Sequence, residues 1–132
     1  MLALRADLAP ESPIETTLVH GDYWPGNVLW REGSIVAVLD WEAATLGDPA
    51  RDVAYCATEL RLLGFNAAAD RFIETYRATA DAELTTMSYW IVSALCSAVI
   101  DLPSYLDSWR GAGHDDELDV VRARLQELID QH

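Results

Sequence analysis

The rhythm of apolar positions changes once along this chain, near Gly47. Before that point apolar residues come in short clusters separated by Gly, Pro and Asp. After it they recur every three or four residues. Residues 28–30 and 35–39 read as the two arms of a small hairpin, turning at Glu32-Gly33-Ser34 and ending at Asp40. Residues 17–20 form a short apolar approach to the first motif. Asp48 is placed to N-cap a helix, with Pro49 in its first turn, running to about Leu63 and stopped by Gly64. Asn66 caps a second helix, with Phe72, Ile73 and Tyr76 on one face, to about Ala80. The stretch from Glu83 to Asp101 is apolar nearly all round, which predicts a helix in the middle of a bundle. Pro103 opens a short helix through Trp109, Gly111 and Gly113 make a joint, and Leu118, Val121, Leu125, Leu128 and Ile129 mark a final amphipathic helix. The expected fold is α+β and predominantly helical. Residues 1–16 read as a helix remnant and connector, and 17–132 as one lobe, with loop and hairpin at 17–47 and a helical subdomain at 48–132.

Composition narrows the function classes. At 132 residues with 51% hydrophobic content the chain suits one packed domain and not a disordered tail. Twenty-two acidic residues against nine arginines and no lysine give a net charge of −13, which argues against nucleic acid or an anionic membrane as partner and leaves room for a cationic ligand. The uncharged run from Leu84 to Ile100 is diluted by Thr85, Thr86, Ser88, Ser93 and Ser97, so it reads as a core helix and not a membrane span. Asp7 and Glu11 near the start do not fit an export signal, and the expected location is the cytoplasm. Cys56 and Cys96 stand far apart and read as small apolar side chains of a reducing compartment.

The candidate chemistry sits in the first third. His20-Gly-Asp-Tyr-Trp-Pro-Gly-Asn27 is followed, after the hairpin, by Val38-Leu-Asp-Trp-Glu42. Phosphoryl transfer needs an aligned acceptor hydroxyl, metal-bridged phosphates and charge stabilisation, with little covalent help. Asp22 is the candidate to accept or orient the hydroxyl. Asn27 offers a neutral oxygen and Asp40 an anionic one, a reasonable protein share of a magnesium shell. The Trp24-Pro25-Gly26 turn should point Asp22 and Asn27 the same way while the hairpin returns Asp40 beside them. His-x-Asp and Asp-Pro pairs also occur in ordinary turns, so the weight rests on the two motifs standing together in order.

With Gly47-Asp-Pro-Ala-Arg-Asp52 added, these segments resemble the aminoglycoside phosphotransferase family, kinase-like enzymes that phosphorylate small molecules. The likeness is close from about Val19 to Tyr55. It implies a protein-kinase-like carboxy-terminal lobe in which Asp22 is catalytic, Asn27 and Asp40 hold Mg2+, ATP is the co-substrate, and His20, Asp48 and Asp52 brace the catalytic loop. Trp24, Trp41 and Glu42 are candidates for the acceptor pocket, with a core role open for both tryptophans. Asp101, Asp107, Asp115 and Asp116 could face a cationic acceptor or simply solvent.

The same likeness implies a preceding lobe with a glycine-rich loop and a lysine on the nucleotide. No Gly-x-Gly-x-x-Gly and no lysine occur here, and arginine is a poor geometric substitute. Three readings follow: the carboxy-terminal lobe of a small-molecule kinase, weak or inactive alone; a binding module without catalysis; or a self-associating protein that covers the face of the missing lobe with a second copy.

Overall fold

The computed structural model describes residues 16–80 and 83–132, so the connector expected over residues 1–16 lies almost wholly outside the described residues. Four short strands precede five helices: β1 (Thr17–Val19), β2 (Val28–Arg31), β3 (Ser34–Val38), β4 (Thr45–Gly47), α1 (Ala50–Leu62), α2 (Asn66–Ala80), α3 (Met87–Ile100), α4 (Leu102–Gly111) and α5 (Leu118–Asp130). The architecture is α+β and dominated by helix.

The hairpin forms as β2–β3, with Val28 opposite Val38, Arg31 opposite Ser34 and an irregularity between Leu29 and Trp30. A second antiparallel ribbon was not foreseen. β1 pairs with β4, Leu18 opposite Leu46, so the approach to the first motif and the exit from the second are clamped side by side. Three-residue strands carry too little pattern to announce themselves, and their pairing is visible only in three dimensions.

The most deeply buried helix is α1, while α3, the helix expected in the middle of the bundle, packs on α1, α4 and α5. α1 buries Ala50, Val53, Ala54, Cys56, Ala57, Thr58, Glu59 and Leu62 and packs on both α2 and α3. Its alanines let neighbouring backbones approach closely, an advantage that hydropathy does not register. α3 starts only at Met87, buries Met87, Ala94, Leu95 and Ala98, and leaves Val99 and Ile100 in solvent.

Two apolar clusters result. Trp24, Leu62, Leu95, Leu106, Trp109, Val121 and Leu125 join the loop to the carboxy-terminal helices. Ala50, Val53, Ala54, Leu84 and Met87, with Phe72 and Tyr76 against them, join α1 to α2 and α3. α3 and α4 meet at a 92° bend, and no single helix among the described residues is long and apolar enough to cross a membrane. Both cysteines are free, Cys56 buried and Cys96 half-buried.

Candidate functional site

The loop from His20 to Asn27 is fixed from below by α1. The Asp52 carboxylate accepts the backbone N–H of His20 at 2.6 Å and that of Gly21 at 2.9 Å. His20 is buried. Its Nδ1 accepts the Asp22 N–H at 3.2 Å, and its Nε2 donates to the Leu39 carbonyl at 2.7 Å, a pair of bonds that assigns the proton to Nε2. The imidazole thus links the first motif to the end of the hairpin. Trp41 packs on the same ring, centroids 4.6 Å apart, and its indole N–H donates to the Val38 carbonyl at 2.9 Å.

Asn27 meets Asp22 directly. Its amide nitrogen donates to the Asp22 carbonyl at 2.9 Å and to the Asp22 carboxylate at 3.0 Å. With both N–H groups so used, the amide oxygen is left as an acceptor. The Leu39 N–H donates to the Asn27 carbonyl at 2.8 Å, tying the second motif to the first. Gly21, at φ +86°, sits so close to the turn after Asp40 that a Cβ there would come within 2.4 Å of the Ala43 carbonyl oxygen. Only glycine tolerates both that backbone angle and that approach.

Asp40 adopts a left-handed backbone conformation, φ 61° and ψ 63°, at the mouth of the Trp41–Ala43 3₁₀ turn. Non-glycine residues seldom take this shape, and aspartate is among the few that do without large strain. Its carboxylate is exposed and takes no hydrogen bond or ion pair from a described residue. The structure therefore joins Asp22 and Asn27 in contact and Asp40 to them through its neighbour Leu39. It does not bring Asp40 into the recess that Asp22 lines.

That recess, about 280 Å³, is walled by Gly21, Asp22, Arg51, Tyr55, Trp90 and Ser93, with Ala94 and Ser97 closing it. Arg51, Tyr55, Trp90 and Ser97 were missed in the sequence. The signal was present: Trp90, Ser93 and Ser97 recur at helical spacing on α3, although the serines read there as diluted hydrophobicity.

The other expected residues fall elsewhere. Trp24 is a core residue, its indole folded across Gly26, where a Cβ would lie 2.2 Å from the ring. It does not line the recess beside Asp22. Glu42 is exposed on the 3₁₀ turn. Asp48, buried, accepts the Ala50 N–H at 2.9 Å, the Trp90 indole N–H at 2.7 Å and the Thr86 hydroxyl, so it pins the start of α1 to the start of α3. α1 begins one residue beyond Pro49, with the Asp48 side chain still satisfying its first N–H. Asp107 and Asp115 pair with Arg110, Asp116 pairs with Arg124, and Asp101 caps α4, so none of these four lines the recess.

Tyr55 in the wall of the recess belongs to a group of buried and half-buried ionisable side chains that interact with Glu59. Burial pushes Glu59 up to about 7, with the Trp109 indole hydrogen bond opposing and the charge of Asp22 adding to the rise. Burial, then the charge of Glu59, pushes Tyr105 and Cys56 each up to about 12. Tyr55 is raised further still, by burial first and by the charges of Glu59 and Asp22. At neutral pH the phenols and the thiol are therefore uncharged.

The donor set suits magnesium. Asn27 Oδ1 and the unpartnered Asp40 carboxylate are hard oxygen ligands, and magnesium takes one or two such groups plus waters and phosphate oxygens. Among the described residues no three His, Cys, Asp or Glu side chains gather where they could together hold a metal ion.

Comparison with known proteins agrees with the motifs. A model of the phosphotransferase enzyme family matches residues 1–90, more than half of the chain. The chain belongs to that family, whose members are kinase-like small-molecule phosphotransferases. Among curated relatives, mouse acyl-CoA dehydrogenase family member 10 is 55% identical over 42 residues, covering 30% of this chain and 4% of the relative. Chicken acyl-CoA dehydrogenase family member 11 is 37% identical over 67 residues, covering 45% and 9%. The human member 11 is 40% identical over 48 residues, covering 35% and 6%. The matched segments thus span less than a tenth of these relatives, and the names describe those longer chains. No solved structure matches.

Proposed function

We propose that this chain is the carboxy-terminal, catalytic lobe of a kinase that transfers the γ-phosphate of ATP to a hydroxyl of a small molecule with the help of magnesium. The observation that carries the reading is the two-point hold of Asn27 on Asp22, which orients a carboxylate on a loop braced by Asp52 and His20.

Asp22 has the role of receiving the acceptor's hydroxyl proton, or of aligning that hydroxyl for in-line attack. Its loop is held by five hydrogen bonds to side chains or from them, so little reorganisation is needed when the acceptor arrives. Asn27 Oδ1 and Asp40 would hold the magnesium ion, which when bound neutralises charge on the transferred phosphoryl group. Leu39, bonded at its N–H to Asn27 and at its carbonyl to His20, keeps the Asp40 backbone in step with the catalytic loop. The lysine that holds the nucleotide in the resemblance is not among these residues, so turnover by this chain is expected to be low.

The test combines phosphoryl transfer from radiolabelled ATP with thermal unfolding. Asp22→Asn should lower transfer by about a hundredfold or more with the melting curve unchanged. Millimolar magnesium should raise the melting temperature of the wild type and not that of Asp40→Ala. Equal transfer by wild type and Asp22→Asn would overturn the catalytic role, and an absent magnesium shift would overturn the metal site.

A further inference from the structure

Among the described residues all arginines but one fall into two groups. Among the described residues Arg61, Arg110, Arg122 and Arg124 each meet an aspartate within ion-pair distance. Arg31, Arg71 and Arg77 are exposed. Arg51 fits neither pattern. It is half-buried in the wall of the recess beside Asp22, and no carboxylate among the described residues, Asp22 included, pairs with it. Its guanidinium carbon lies 6.0 Å from the centre of the Trp90 ring, which leaves the N–H fork available.

In a chain with 22 acidic residues and only nine cations, a sheltered guanidinium without a carboxylate is conspicuous. Its planar fork of donors matches a carboxylate or phosphate through two parallel hydrogen bonds. The recess also separates the two sides of Asp22. Asn27 and Asp40, the magnesium-type oxygens, do not line it. Around it stand the Tyr55 hydroxyl and the Ser97 hydroxyl, whose own proton goes to the Ser93 carbonyl and whose oxygen remains an acceptor.

We propose that the recess takes an acceptor bearing both a hydroxyl and an anionic group, the anion held by Arg51 while the hydroxyl meets Asp22. The inference rests on the kinase reading above and reverses the sign of acceptor expected from net charge. It concerns a carboxylate or a phosphate monoester, chemistry that Arg51 serves equally well. The recess, about 280 Å³, suits a small hydroxy acid or the hydroxylated end of a longer one.

The experiment follows the assigned Trp90 indole signal of the full chain by NMR during titration with 3-hydroxybutyrate, glycerol 3-phosphate, glycerol and ethanolamine. The two anions are expected to shift it, glycerol and ethanolamine to leave it in place, and the stronger of the two anions identifies which group is preferred. Arg51→Gln should weaken anion binding at least tenfold, and Arg51→Lys should recover part of it. Circular dichroism checks that both variants remain folded. Equal binding by wild type and Arg51→Gln, or tighter binding of ethanolamine than of either anion, overturns the proposal. Displacement of the anions by ADP alone, without magnesium, would make Arg51 a nucleotide contact and overturns it too. The two readings fail separately: anion binding without any phosphoryl transfer sinks the kinase reading, whereas transfer to neutral alcohols that Arg51→Gln leaves intact sinks this one.

Discussion

Glu59 offers a test of the buried ionisable groups through pH. It is 2% exposed in the middle of α1, one oxygen accepts the Trp109 indole N–H, and the other, Oε1, has no hydrogen-bond partner among the described residues. Burial is the largest cause of its rise from an ordinary 4.5 to about 7. The folded chain therefore keeps this proton up to about pH 7, while the unfolded chain releases it near 4.5. Because the folded state binds more protons across that window, the stability it confers is complete below 4.5 and is lost as pH climbs through 7. At ~1.4 kcal/mol per pH unit the whole loss is about 3 kcal/mol. Tyr55, Tyr105 and Cys56, which face Glu59, are pushed up by burial and stay neutral throughout. Glu59→Gln keeps the shape and removes the proton, so its stability should lack this decline. Urea unfolding of both proteins at pH 5, 6, 7 and 8, read by tryptophan fluorescence, gives the comparison, and the difference between the two curves cancels every other titrating group. Parallel curves would refute the argument, since they would mean that Glu59 titrates alike in folded and unfolded chains.

Three further outcomes are expected. Asp52→Ala strips the acceptor from the N–H groups of His20 and Gly21 and should destabilise the fold by about 2–4 kcal/mol in urea unfolding. Gly21→Ala forces a side chain against the Ala43 carbonyl at a positive φ and should cost at least about 2 kcal/mol, measured the same way. Leu18, Trp30, Val36 and Leu46, each more than half exposed, place an apolar surface on the two ribbons that we expect a second copy to cover. Light scattering after size exclusion should then report a dimer at micromolar concentration, and a clean monomer counts against it.

Much of the architecture was legible because helical periodicity and punctuation agree: Gly64, Asn66, Pro103 and the joint at Gly111 and Gly113 fall at element ends. The hairpin was legible from its apolar arms and its glycine turn. The depth at which a helix sits was not, because α1 earns its central place from small residues and from Glu59, while the more apolar α3 keeps Ile100 in water. Motif spacing pointed to Asp22 and Asn27 facing the same way, the family resemblance implied that His20 and Asp52 brace their loop, and hydrogen bonds join these four residues. The recess depends on Arg51, Tyr55 and Trp90, which come from helices 30 or more residues beyond the loop's start, and no local pattern marks which faces of two helices will look at each other.

The β2–β3 ribbon has consequences of its own. It stands on two strands, with Trp30, Ile35 and Val36 largely in solvent, and so borrows little stability from its own face. Asp40 rides on its far end, whereas Asp22 is moored to the central helix through Asp52. The two sides of the site are thus mounted on supports of different stiffness. Amide hydrogens of Val36 and Trp30 should exchange well before those of Val53 and Ala57, so that Asp40 rides on a part that can still adjust while the Asp22 loop holds still.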